Sequence, residues 1–142
     1  MLILHLLPRL CCFYAFLTLL AGCGGPSVTL VPVVGTVYLD DQPLAKAKIV
    51  FTPAEGRASF ATTDTQGQYK LLYTADLAGA VTGKHRVTIS TLIEPDPESS
   101  IEERKLGQVE KVPAKYNKHS TLEMEVSKAD REPMDFKLSS KD

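Results

Sequence analysis

Two apolar patterns divide the chain. From Leu10 to Ala21 the residues are uncharged and apolar or small, whereas from Val33 onward apolar and polar positions alternate with a period of two. The second pattern predicts strands with one buried face. In "VVGTVYLDDQPLAKAKIVF", Val33, Gly35, Val37 and Leu39 point one way, while Val34, Thr36 and Tyr38 point the other. Asp40 to Pro43 predicts a turn whose acids bond nearby amides. Ala47, Ile49 and Phe51 then form the inward face of a second strand, with Lys48 outside. Phe60 and Thr62 lead into a turn, Asp64-Thr65-Gln66-Gly67, in which Gly67 supplies a positive φ. Tyr69, Leu71 and Tyr73 share the face that follows. Downstream, Gly83 predicts a tight approach, and His85, Val87 and Ile89 share one face. Leu122, Met124 and Val126, then Met134, Phe136 and Leu138, are the inward positions of the last two strands. Short alternating strands punctuated by turns predict an all-β fold, a single antiparallel β-sandwich of about seven strands.

One stretch breaks the pattern. Leu92 to Tyr116 is polar, interrupted by proline and rich in both charges. It predicts a long crossover loop, in which Ser99 to Leu106 can form a short helix with Ser99 as N-cap and Glu102 in the capping-box position.

The apolar run at the start has different chemistry. At about 12 residues it matches a signal-peptide core and falls short of a membrane-spanning helix. Leu20-Ala21-Gly22-Cys23 follows, then "GGPS", a flexible linker. This string resembles the lipobox of bacterial lipoproteins at every position. The resemblance implies that the Cys23 thiol receives a diacylglycerol, that the leader is cut before it, and that the new amino group is acylated, typically with palmitate. Two small residues before the cysteine suit a peptidase that must approach the backbone closely. The expected organisation is a signal helix over 1–22, a tether over 23–30, and a domain over 31–142 carrying the loop 92–116.

Composition narrows the function. The mature chain is about 120 residues, enough for one domain to bury a core without staples. Of the three cysteines, Cys11 and Cys12 leave with the leader and Cys23 is modified, so no disulfide is expected. The full chain carries a net charge of −1, and loss of Arg9 makes the mature balance more negative. There is no basic field to attract nucleic acid. No second apolar segment is long enough to cross a bilayer, so the expected membrane contact is the lipid.

Together, Val33-x-Gly35-x-Val37, "DDQPLAKAKIVF", "TTDTQGQYKL", "GKHRVTIS", "VPAKY" and the final "FKL" resemble carboxypeptidase-regulatory-like (transthyretin-like) domains. In particular they are similar to small single-domain lipoproteins of planctomycete bacteria. The resemblance spans about Val31 to Leu138. It implies a seven-stranded prealbumin-like, Ig-like sandwich with Greek-key connections, exported and tethered to the envelope, with no catalytic machinery of its own. Asp41 and Lys46 stand where such domains usually have glycine, and His85 stands where tyrosine is usual. Gly24, rather than the aspartate that retains enteric lipoproteins in the inner membrane, implies the outer membrane under the same sorting rule.

Candidate chemistry is sparse. The mature histidines are His85 and His119, and no cysteine accompanies them in a zinc-ligand spacing. No Gly-x-Ser-x-Gly elbow or phosphate-cradling loop occurs. No catalytic residue, cofactor or metal ligand is expected. Asp40, Asp41 and Asp64, with Glu94, Asp96 and Glu98, offer oxygens to calcium, but solvated turn acids are the favoured reading. Outward parity gives Val34, Tyr38, Val50 and Leu72 as an apolar patch if that face is open, but scattering of these residues by twist and edge placement is the favoured reading. The expected function is a non-enzymatic structural or protein-interaction role at the envelope, with Val34, Tyr38 and Tyr116 and the Glu94–Lys111 loop as partner contacts. The alternative is a carbohydrate-binding module in which Tyr38 and Tyr116 stack on polysaccharide. Trp is absent, which weakens that platform.

Overall fold

The computed structural model describes residues 28–92, 109–129 and 132–141. The leader, Cys23, the expected 99–106 helix, and Glu94, Asp96 and Glu98 lie outside the described residues. Within them the chain is all-β, with ten strands, one short 3-10 turn over Ala114–Tyr116, and no α-helix.

Seven strands have three residues or more, and each contains one of the alternating stretches of the sequence. These are β2 (Val34–Leu39), β4 (Lys48–Pro53), β5 (Ser59–Thr62), β6 (Gln68–Lys70), β8 (Gly83–Ser90), β9 (Glu123–Val126) and β10 (Phe136–Leu138). The other three are two-residue pieces: β1 (Leu30–Val31), β3 (Gln42–Pro43) and β7 (Ala80–Val81). One sheet runs β5-β4-β8-β9, entirely antiparallel. A second centres on β2, which pairs with β3, β6 and β10, and β1 pairs with β7.

Three local expectations need correction. The β10–β2 ladder is parallel, with Phe136 opposite Val37 and Leu138 opposite Leu39. The chain reaches β10 by a crossover from the other sheet, so no hairpin constrains its direction. The turn expected over Asp40–Pro43 is shorter, because Gln42 already pairs with Leu39. Asp40 and Asp41 form a two-residue loop with φ of 50° and 63°, the signs a type I′ hairpin requires. Gly83 has no atom within 4 Å of where a Cβ would stand. What it supplies is a φ of 120°, a backbone requirement instead of a close approach. The positive φ expected at Gly67 is present, at 76°.

The inward residues of both sheets share one core. Val37, Tyr69, Phe136 and Leu138 come from the β2 sheet, and Ile49, Phe51, Val87, Ile89 and Val126 from the other; all are buried. Phe51 meets Phe136 edge to face at 6.0 Å between centroids, and Tyr69 lies 6.2 Å from the same ring. Met124, expected inside, is only partly buried and packs against this cluster, as suits β9 at the sheet edge.

Gly35 explains how β10 gets so close to β2. A Cβ there would sit 2.0 Å from the Met134 carbonyl oxygen. Met134 N–H donates to Val34 O at 2.8 Å, Tyr69 Oη donates to Met134 O at 2.6 Å, and Thr36 N–H donates to Asp135 Oδ1 at 2.7 Å. Burial, and then the negative charge of Asp135, raise the Tyr69 phenol above its ordinary range, so it remains a donor.

Glu110 closes the base of the long crossover. Its carboxylate accepts the Ser90 hydroxyl, the Thr91 amide and hydroxyl (each at 3.0 Å) and the Val112 amide at 2.9 Å. Burial by itself would raise this acid, but those hydrogen bonds outweigh it and hold the carboxyl below its ordinary value. Val112, just beyond, inserts into the core.

Candidate functional site

Alternation along β2 puts Val34, Thr36 and Tyr38 on its outer face while Gly35 and Val37 are buried. Val34 is 45% exposed. Tyr38 is half-buried, between Lys137 of β10 and Pro43 of β3. Two of the three expected contact residues therefore share one strand face. Tyr116 does not join them. Its ring packs against the core, and its hydroxyl accepts the Ser139 amide at 3.3 Å.

The outer face extends further than Val34 and Tyr38. Leu72 bridges to Phe60, Phe60 pairs with Val50, and Val50 pairs with Thr88. Directly opposed residues share a face, so Leu72, Phe60 and Val50 form an apolar row across the outside. Phe60 is 40% exposed. The row begins beside Val34, because Val34 is opposite Lys70 and Lys70 is two residues from Leu72 on the same parity. Val34, Thr62, Lys70 and Leu72 line one shallow hollow, and Thr62 also lines the next, with Lys46, Lys48 and Val50. Phe60 is not among the outward residues expected from alternation. The available signal is Ser59-Phe60-Ala61-Thr62, where the small residues Ser59 and Ala61 are the buried ones.

Three ammonium groups flank this row. Lys46, Lys48 and Lys70 are exposed. None makes an ion pair with a carboxylate among the described residues. Lys46 has a φ of 57°, a conformation that an L side chain tolerates only under constraint from its surroundings. The constraint is visible: Lys46 N–H donates to Thr63 O at 3.0 Å, and the buried Thr63 hydroxyl accepts Ala47 N–H and donates to Leu44 O.

Three other titratable groups are engaged in structure. Asp64 Oδ1 accepts the amides of Gln66 and Gln68, at 2.8 and 2.9 Å. Hydrogen bonds from the Ser140 hydroxyl and amide hold the exposed Asp40 carboxyl below its ordinary value. His85 is buried, with its ring 5.8 Å from Phe51. Its Nε2 lies 2.8 Å from Val81 O, which can only accept, so Nε2 carries the proton. Nδ1 and the Ser59 hydroxyl are buried with no hydrogen-bond partner. Among the described residues, no group of three or more His, Cys, Asp and Glu side chains is placed to hold a metal ion. No described helix is long and apolar enough to cross a membrane. No family model, curated protein or solved structure matches the chain.

Proposed function

We propose that the chain is an exported lipoprotein of the bacterial envelope, anchored through acylated Cys23. Its domain is a non-catalytic, transthyretin-like sandwich with a protein-interaction or structural role. The observation that carries this reading is Leu20-Ala21-Gly22-Cys23 directly after an apolar run of signal-core length. Seven strands of three or more residues around one core support the seven-stranded sandwich. Positive φ at Asp41 and Lys46, the two positions where that family has glycine, supports the resemblance. Gly24 favours the outer membrane. The outer face around Val34 and Tyr38 is the contact surface. With Tyr116 packed against the core, a pair of tyrosines for sugar stacking is not assembled, which favours a protein over a polysaccharide.

The test is detergent phase partition and fractionation of cells expressing the wild type and Cys23→Ala. The wild type partitions with membranes, and the variant appears in the soluble fraction or as uncleaved precursor. Equal partition of both into the aqueous phase refutes the anchor.

A further inference from the structure

We infer that the outer face carrying Leu72, Phe60 and Val50, with Lys48 and Lys70 beside them, docks an acidic polypeptide segment that also bears aromatic or aliphatic side chains. This rests on the protein-interaction reading and specifies the partner's chemistry.

The geometry supplies two adjacent stripes. One is apolar: Leu72, Phe60 and Val50 are neighbours through successive strand pairings, and Phe60 stands out from it at 40% exposure. The second is cationic and runs alongside, because Lys48 is two residues from Val50 and Lys70 two residues from Leu72, on the same parity. Thr62, opposite Lys48, stands between the lysines on the outer face of β5.

Charge decides what fits. The lysines have no carboxylate partner among the described residues. Two acids stand near them: Asp64, one of whose carboxylate oxygens is bonded to two turn amides, and Glu110, which accepts the hydroxyl of Ser90 opposite Lys48. On the described outer face three lysines, Lys46, Lys48 and Lys70, outnumber two carboxylates, Asp64 and the Glu110 bonded to Ser90 opposite Lys48, on a chain whose net charge is −1. Opposite charge steers encounter and sets register, while the apolar row supplies area to bury. An anionic polysaccharide matches the lysines and stacks on Phe60, but it leaves the aliphatic Leu72 and Val50 without a partner. A peptide with acids and large apolar residues matches both stripes.

The probe is a random copolymer of glutamate and tyrosine, titrated against the full chain in detergent micelles. It is compared with polyglutamate and with polygalacturonate. The copolymer binds, and polyglutamate and polygalacturonate bind at least several-fold more weakly. Lys48→Glu with Lys70→Glu weakens copolymer binding about tenfold, as expected for two lost charge pairs. Phe60→Ser weakens it by a similar factor, about tenfold. Thermal melts check that each variant folds; Lys48→Gln with Lys70→Gln gives the same reading in a milder form. The inference is overturned if the copolymer does not bind, or if these variants bind it as the wild type does. Equal binding of polyglutamate overturns the apolar half, and tighter binding of polygalacturonate assigns the face to an anionic glycan. The mass of Cys23 on the same preparation reports the anchor separately, so the two failures are distinguishable.

Discussion

Replacing Gly35 by alanine adds one methyl group at the point where two backbones come closest. The new Cβ would stand 2.0 Å from Met134 O and 2.6 Å from Met134 C. Both are main-chain atoms, so no side-chain rotation can relieve the clash. The 133–136 segment must move outward or β2 must bend. Overpacking of this kind costs about 1–3 kcal/mol. Moving Met134 also loosens three hydrogen bonds, from Met134 N–H, Tyr69 Oη and Thr36 N–H, each worth about 1 kcal/mol net. Partial loss of these brings the expected total to about 3–5 kcal/mol. In a domain of this size that lowers the melting temperature by roughly 12–20 °C. Gly83→Ala is the matched control. It meets no atom within 4 Å and bears only the strain of its φ of 120°, about 1–3 kcal/mol. Thermal and urea denaturation followed by circular dichroism measure both. A Gly35→Ala variant that melts within about 3 °C of the wild type, or a Gly83→Ala variant that is the more damaging of the two, rules out the Met134 contact as the reason for the glycine.

Phe51→Ala opens the centre of the ring cluster with Phe136 and His85 and should cost about 3–5 kcal/mol in urea denaturation. Ser59→Ala removes a buried hydroxyl without a partner and should raise stability, by about 1 kcal/mol; a destabilised variant contradicts the assignment. Lys46→Gly relieves a φ of 57° and should gain up to about 1 kcal/mol, whereas Lys46→Ala, which keeps a Cβ, should not. Because the folded Glu110 carboxyl sits below its ordinary value of 4.5, its contribution is present above that value and fades as pH falls through the folded pKa. Glu110→Gln should therefore destabilise at neutral pH and flatten the loss of stability below about pH 4.5; an unchanged acid slope refutes it.

Much of this fold was legible because burial imposes a period of two. Val37, Ile49, Phe51, Val87, Ile89 and Phe136 are inward in the sequence pattern and buried in the structure. Pairing partners are less legible, since parity says which face a residue takes and nothing about which strand lies beside it. That is why the parallel β10–β2 ladder and the Phe60–Leu72 bridge are visible only in three dimensions. The outer face shows the same limit. Val34, Val50 and Leu72 are outward by alternation alone, but the row through Phe60 depends on register. Gly35 is a further case: the sequence marks a glycine in a strand, and only the approach of Met134 gives the reason. Glu110 lies in a polar stretch with nothing local to distinguish it, because its partners Ser90 and Thr91 are 20 and 19 residues away.

Intact mass with N-terminal peptide sequencing of the protein from its native membranes reads out the proposed lipid on Cys23. The expected chain begins at Cys23 and carries at least two acyl chains, since a single myristoyl-sized chain binds membranes only marginally, with K of about 10⁴ M⁻¹. An N-terminus at any other residue, with the Cys23 thiol unmodified or absent from the mature chain, contradicts it.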